Sequence, residues 1–114
     1  RVLAPPGPVP VVPESERSGS GLYKIVRGHR YDRSILDLAG WLSRSGPLDL
    51  NDVFWLWDCA SDGSGVTATE RSTLTYVAGT IAMLPEAKED LEDRVRETEQ
   101  LARLTEHQWA PAAQ

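Results

Sequence analysis

Residues 46–71, GPLDLNDVFWLWDCASDGSGVTATER, decide the fold. Gly46-Pro47 breaks any preceding helix. Asp49 and Asn51 are both good N-caps, so a helix is expected from about Leu50 to Cys59. It carries Val53, Phe54, Trp55, Leu56 and Trp57 in succession. A helix apolar on nearly every side is expected to be the central, buried element. Asp58 to Gly65 reads as a glycine-containing loop. Thr67-Ala68-Thr69-Glu70 then has the spacing of a capping box and opens the next helix.

Working outward, Asp32 is placed to cap a helix running to about Ser43, with Ile35, Leu38, Ala39 and Leu42 at helical spacing. Before it, residues 22–31 (LYKIVRGHRY) read as a short extended arm turning at Arg27-Gly28. On the other side, Leu74, Val77, Ala78, Ile81 and Leu84 form the stripe of the third helix. Pro85, tolerated at a first helical position, opens a fourth that runs to about Gln108. Acidic Glu86, Glu89 and Asp90 stand near its start and Arg103 and His107 near its end, which suits the helix dipole. Its apolar stripe (Ala87, Leu91, Val95, Leu101, Leu104) is narrow, fit to clamp onto the domain or to lie against a neighbour.

The expected fold is therefore all-α, with about four helices and a tiny two-stranded contact between loops. The chain divides into an extended proline-rich tail (1–21), a helical core (22–84), a long acidic amphipathic helix (85–109) and a short tail (110–114). In residues 1–21 the prolines favour polyproline II, since each ring fixes φ and removes a donor. Such a segment has no means of its own to bury Val2, Leu3, Val9, Val11 and Val12, so it is expected to lean on a partner chain as a strap.

The net charge of −5 falls mostly on residues 83–114, with eight acidic against four basic side chains. General binding to a phosphate backbone is thereby disfavoured. One basic cluster, Lys24, Arg27, Arg30 and Arg33, is of a size to meet an acidic surface locally. A single cysteine, Cys59, rules out an intrachain disulfide. The longest apolar stretch is about half of the roughly twenty residues needed to span a bilayer. Because the sequence opens on Arg1 and not on Met, removal of a targeting segment is one expectation, and an organellar destination follows from it.

Residues 46–53 (GPLDLNDV) and 64–71 (SGVTATER) repeat at an offset of 18: a glycine turn, one apolar residue, an N-cap and an acid three positions on. Leu48 matches Val66, and the two loops are expected to exchange backbone hydrogen bonds through them. This pattern resembles a degenerate pair of EF-hand loops, which place an apolar residue at position 8 and an acid at position 12. Trp41 stands where the first loop needs an aspartate; the second ends correctly on Glu70. The chain is also similar to a small helical domain of uncertain role in bacterial and some algal proteins, through Tyr31-Asp32-Arg33, Leu36, Asp62-Gly63, Thr67, Glu70-Arg71, Thr73-Leu74 and Tyr76. That resemblance implies a fold and no established activity; it points to a plastid photosynthetic complex.

Two functional expectations follow. The first is a non-enzymatic accessory subunit of a larger assembly, peripheral to a membrane complex, that contacts other protein chains and not nucleic acid. Its contacts are expected at Val2, Leu3, Pro5, Pro8, Val9, Pro10, Val11 and Val12 of the tail and at Trp55 and Trp109, because tryptophan is over-represented at interfaces. The alternative is a calcium-binding regulatory module using Asp58, Asp62, Ser64, Thr67 and Glu70. The competing reading of those residues is a capping box plus loop carboxylates that satisfy backbone donors. His29 and His107 lack a second ligand at metal-binding spacing, and no histidine is indicated beside Cys59 to activate it. No paired carboxylates, phosphate loop or other enzyme motif is present, so no catalytic residue is expected.

Overall fold

The computed structural model describes residues 7–17, 19, 21–61 and 66–109, the last five as helix backbone only. The expected turn at Arg27-Gly28 closes an antiparallel hairpin of β1 (Tyr23–Val26) and β2 (His29–Asp32), with Val26 paired to His29 and Tyr23 to Asp32. Both turn residues have positive φ, 50° and 84°. That is the geometry of a two-residue turn matched to the right-handed twist of the strands. The chain is mostly helical, as expected; the small two-stranded contact, expected between loops, is instead this hairpin, the one sheet among the described residues.

Four α-helices follow among the described residues: α1 (Arg33–Leu42), α2 (Leu50–Ala60), α3 (Ala68–Thr80) and α4 (Pro85–Trp109). Each of the first three starts where an oxygen-bearing side chain takes an orphan N–H. The carboxylate of Asp32 accepts from the Ile35 amide at 3.1 Å. Asp49 and Asp52 form a reciprocal capping box at 2.9 Å in each direction. Thr67 and Glu70 form the second box: Glu70 N–H donates to Thr67 Oγ1 at 3.2 Å, and Thr67 N–H donates to Glu70 Oε1 at 2.7 Å.

The core lies where the four helices meet. Ile35 and Leu38 of α1, Val53 and Leu56 of α2, Leu74 and Val77 of α3, and Ala87 and Leu91 of α4 are buried. The aromatic run of α2 is half-buried and not enclosed on all sides, so α2 is less central than expected. α3 is the hub, packing against α1, α4 and β2. Its Thr73 is the buried polar residue of the core. The hydroxyl donates to the Thr69 carbonyl at 2.7 Å and accepts the Asp32 amide at 2.8 Å, which ties the hairpin to the helix.

The loop pairing differs from expectation. Leu48 meets not Val66 but Met83, through a parallel bridge in which Leu48 N–H donates to Ala82 O (3.0 Å) and Leu84 N–H to Leu48 O (2.9 Å). The reason lies in Pro85. α3 stops at Thr80 with Ile81 already extended, and Pro85 holds Leu84 in extended backbone, so the stretch between them is the partner at hand. Val66 O instead accepts from the Arg71 guanidinium at 3.0 Å.

Candidate docking surfaces

The tail behaves differently from a strap held only by another chain. Between residues 7 and 17, Val9 and Val12 pack on the domain's own core. Trp55 Nε1–H donates to the Gly7 carbonyl at 3.2 Å, and Glu16 pairs with Arg44 at 2.6 Å. Pro10 is half-buried, whereas Pro8 and Val11 are exposed. Trp55, expected at an interface with another chain, is thus engaged by its own tail. Val2, Leu3 and Pro5, and the side chain of Trp109, lie outside the described residues.

Of the five residues with calcium-ligand chemistry, Asp58 stands exposed on α2, while Thr67 and Glu70 are committed to each other in the capping box. Asp62 and Ser64 lie outside the described residues. Among the described residues no three His, Cys, Asp or Glu side chains are grouped to hold a metal ion. His29 is exposed on β2, with its ring centre 6.2 Å from that of Tyr31, which in turn stacks on Tyr76 at 4.5 Å. The His107 side chain is not among those described. Cys59 is half-buried and lines a cleft of about 740 Å³ between the tail and α1.

Asp52 shares a second cleft, about 420 Å³, with Asp49, Trp41 and Trp55. Burial raises its pKa above the ordinary 3.8, and the neighbouring Asp49 carboxylate pushes the same way; a hydrogen bond from the Asp49 amide opposes them. Two carboxylates at one helix start favour the neutral form of one of them.

Surfaces without a visible partner lie elsewhere. On β1, Tyr23 and Ile25 point away from the core, and with Leu22 they are 44%, 63% and 74% exposed. Arg30 sits over the Tyr23 ring at 4.5 Å. On α4 the apolar stripe divides. Ala87, Leu91 and Val95 are buried, whereas Leu101 and Leu104 are 64% and 58% exposed. Sequence reading anticipated the second surface as a stripe with two uses. It missed the first, although the alternation Tyr23-Lys24-Ile25 was its available signal. No helix among the described residues is long and apolar enough to cross a membrane. No known protein family, characterised protein or solved structure matches this chain.

Proposed function

We propose that this chain is a non-enzymatic accessory subunit that docks into a larger protein assembly. The observation supporting this reading is the exposure of large apolar side chains on elements that pack against the core: Leu22, Tyr23 and Ile25 at the hairpin, and Leu101 and Leu104 on the outer part of α4. Apolar groups left outside a well-packed core and presented on fixed backbone suit association with another protein.

The test is the size of the native particle. After gentle extraction and size-exclusion chromatography, the chain is expected to elute well above the mass of a single copy, with fixed co-eluting proteins identified by mass spectrometry. Elution as a single copy would contradict the proposal. Replacing Leu101 and Leu104 together by glutamate is expected to loosen the complex at least tenfold if α4 is part of the contact, with the fold unchanged by circular dichroism.

A further inference from the structure

The hairpin carries a docking edge as well as an apolar face. The Arg33 amide donates to the Leu22 carbonyl at 3.0 Å, which fixes the phase of the antiparallel ladder. Residues opposite one another alternate between pairs that exchange hydrogen bonds and pairs that do not. Counting from Leu22–Arg33, the bonded pairs are Lys24–Tyr31 and Val26–His29, while Tyr23–Asp32 and Ile25–Arg30 are not bonded across the ladder. The backbone groups of Tyr23 and Ile25 on β1, and of Arg30 and Asp32 on β2, therefore point outward. The Asp32 amide confirms this phase, since it leaves the sheet to reach Thr73. On β1, the Tyr23 carbonyl takes the Arg33 guanidinium at 2.9 Å. The Ile25 amide and carbonyl meet no hydrogen-bonding group among the described residues.

We propose that the outer edge of β1 adds a strand from a partner protein: an extended segment in which apolar and acidic residues alternate. The assignment rests on the subunit reading above and names the surface and the partner chemistry. Main-chain groups at an open edge supply the pairing, and alternate side chains supply the selectivity. Here the side chains offered are Tyr23 and Ile25, with Leu22 before them, and Arg30 over the Tyr23 ring; Lys24 and Arg27 belong to the same hairpin, with Asp32 as the carboxylate of the stretch. This cluster stands out in a chain of net charge −5. Its charge also disfavours a second copy as the occupant. Antiparallel pairing of β1 with itself gathers the cations of both hairpins into one small sheet, and like charges across a ladder repel. An acidic strand neutralises them.

The probe is an eight-residue peptide alternating valine and glutamate, titrated into the full chain by calorimetry at low salt. Binding is expected, to weaken as salt rises and to be at least tenfold stronger than that of a valine–lysine peptide. Ile25→Pro deletes an outward amide at the middle of the edge without removing a β1–β2 bond, a place where an edge strand tolerates proline; it is expected to weaken binding at least tenfold. Arg27→Glu with Arg30→Glu leaves every backbone group in place and is expected to do the same, so the result does not hang on the proline variant folding. Failure of the glutamate peptide to bind, equal binding of the lysine peptide, binding unchanged by both variants, or dimerisation of the chain through β1 would each overturn the assignment. The two readings fail separately. A native complex that both variants enter with unchanged affinity removes this edge and keeps the subunit. A chain that elutes alone yet binds the peptide through Ile25 keeps the edge and removes the fixed assembly.

Discussion

The tail before the hairpin and the hairpin itself are neighbours in sequence, the one extended up to a short 3-10 turn at Glu14–Glu16 and the other a ladder of two strands, and both carry apolar residues, yet the domain treats them in opposite ways. Residues 7–17 turn Val9 and Val12 inward and are fastened by scattered contacts: one tryptophan hydrogen bond, one exposed ion pair and some apolar area. The hairpin turns Tyr23 and Ile25 outward and is fastened by a ladder and by the buried Thr73 hydroxyl. The difference follows from backbone chemistry. Five prolines between Pro5 and Pro13 deprive the tail of donors, so side chains must hold it. The hairpin satisfies the inner half of its backbone in its own ladder, and its outer edge and outer side chains are left over. Paired in a ladder and exposed, they are the side chains proposed above to meet a partner.

The sharpest way to break this contrast is Thr73→Val. It keeps the shape but leaves the part-buried Asp32 amide without its acceptor, at a cost of about 1–2 kcal/mol. Chemical denaturation is expected to show that loss, and the hairpin amides are expected to lose protection before those of α3. A similar loss spread evenly over the whole domain would mean that the hairpin is no separate attachment.

On the other side of the comparison, Trp55→Phe removes the bond to the Gly7 carbonyl while retaining most of the ring. The expected cost is about 0.5–1.5 kcal/mol, with limited proteolysis within residues 7–17 accelerated and the hairpin unaffected. If the hairpin loosened as well, the two regions would not be independent.

The smallest effect concerns the cleft floor beside Trp55. Because the folded-state pKa of Asp52 is raised, the native state takes up this proton before the unfolded chain does. Its contribution is therefore most favourable at low pH and declines as pH rises through the raised value. Asp52→Asn is expected to equal or slightly exceed wild-type stability at neutral pH, and wild type is expected to gain on the variant as pH falls toward 3.8. Thermal melts at several pH values check the sign.

Much of this architecture was legible in the sequence because local chemistry specified it. Asp32, Asp49 and Thr67 capped the helices they were expected to cap, and Gly46-Pro47 and Pro85 separated neighbouring elements. What was not legible depended on distant contacts. Nothing near Leu48 announces that its partner is Met83 instead of Val66; that choice follows from where α3 ends and how α4 packs. Nothing near Thr73 in the sequence announced that its hydroxyl would meet the Asp32 amide, 41 positions away. The candidate surface was half legible: the α4 stripe could be seen to outrun its domain, but the open edge of β1 required the hydrogen-bond phase, which composition does not carry.

The central claim is that the hairpin is rigid while its outer edge is open, and amide hydrogen exchange on the isolated chain tests it most directly. Slow exchange at Lys24 and Val26 together with fast exchange at Ile25 is the predicted result, with Ile25 becoming protected when the valine–glutamate peptide is added. Uniformly fast exchange along β1, or an Ile25 amide already protected in the chain alone, would contradict the account.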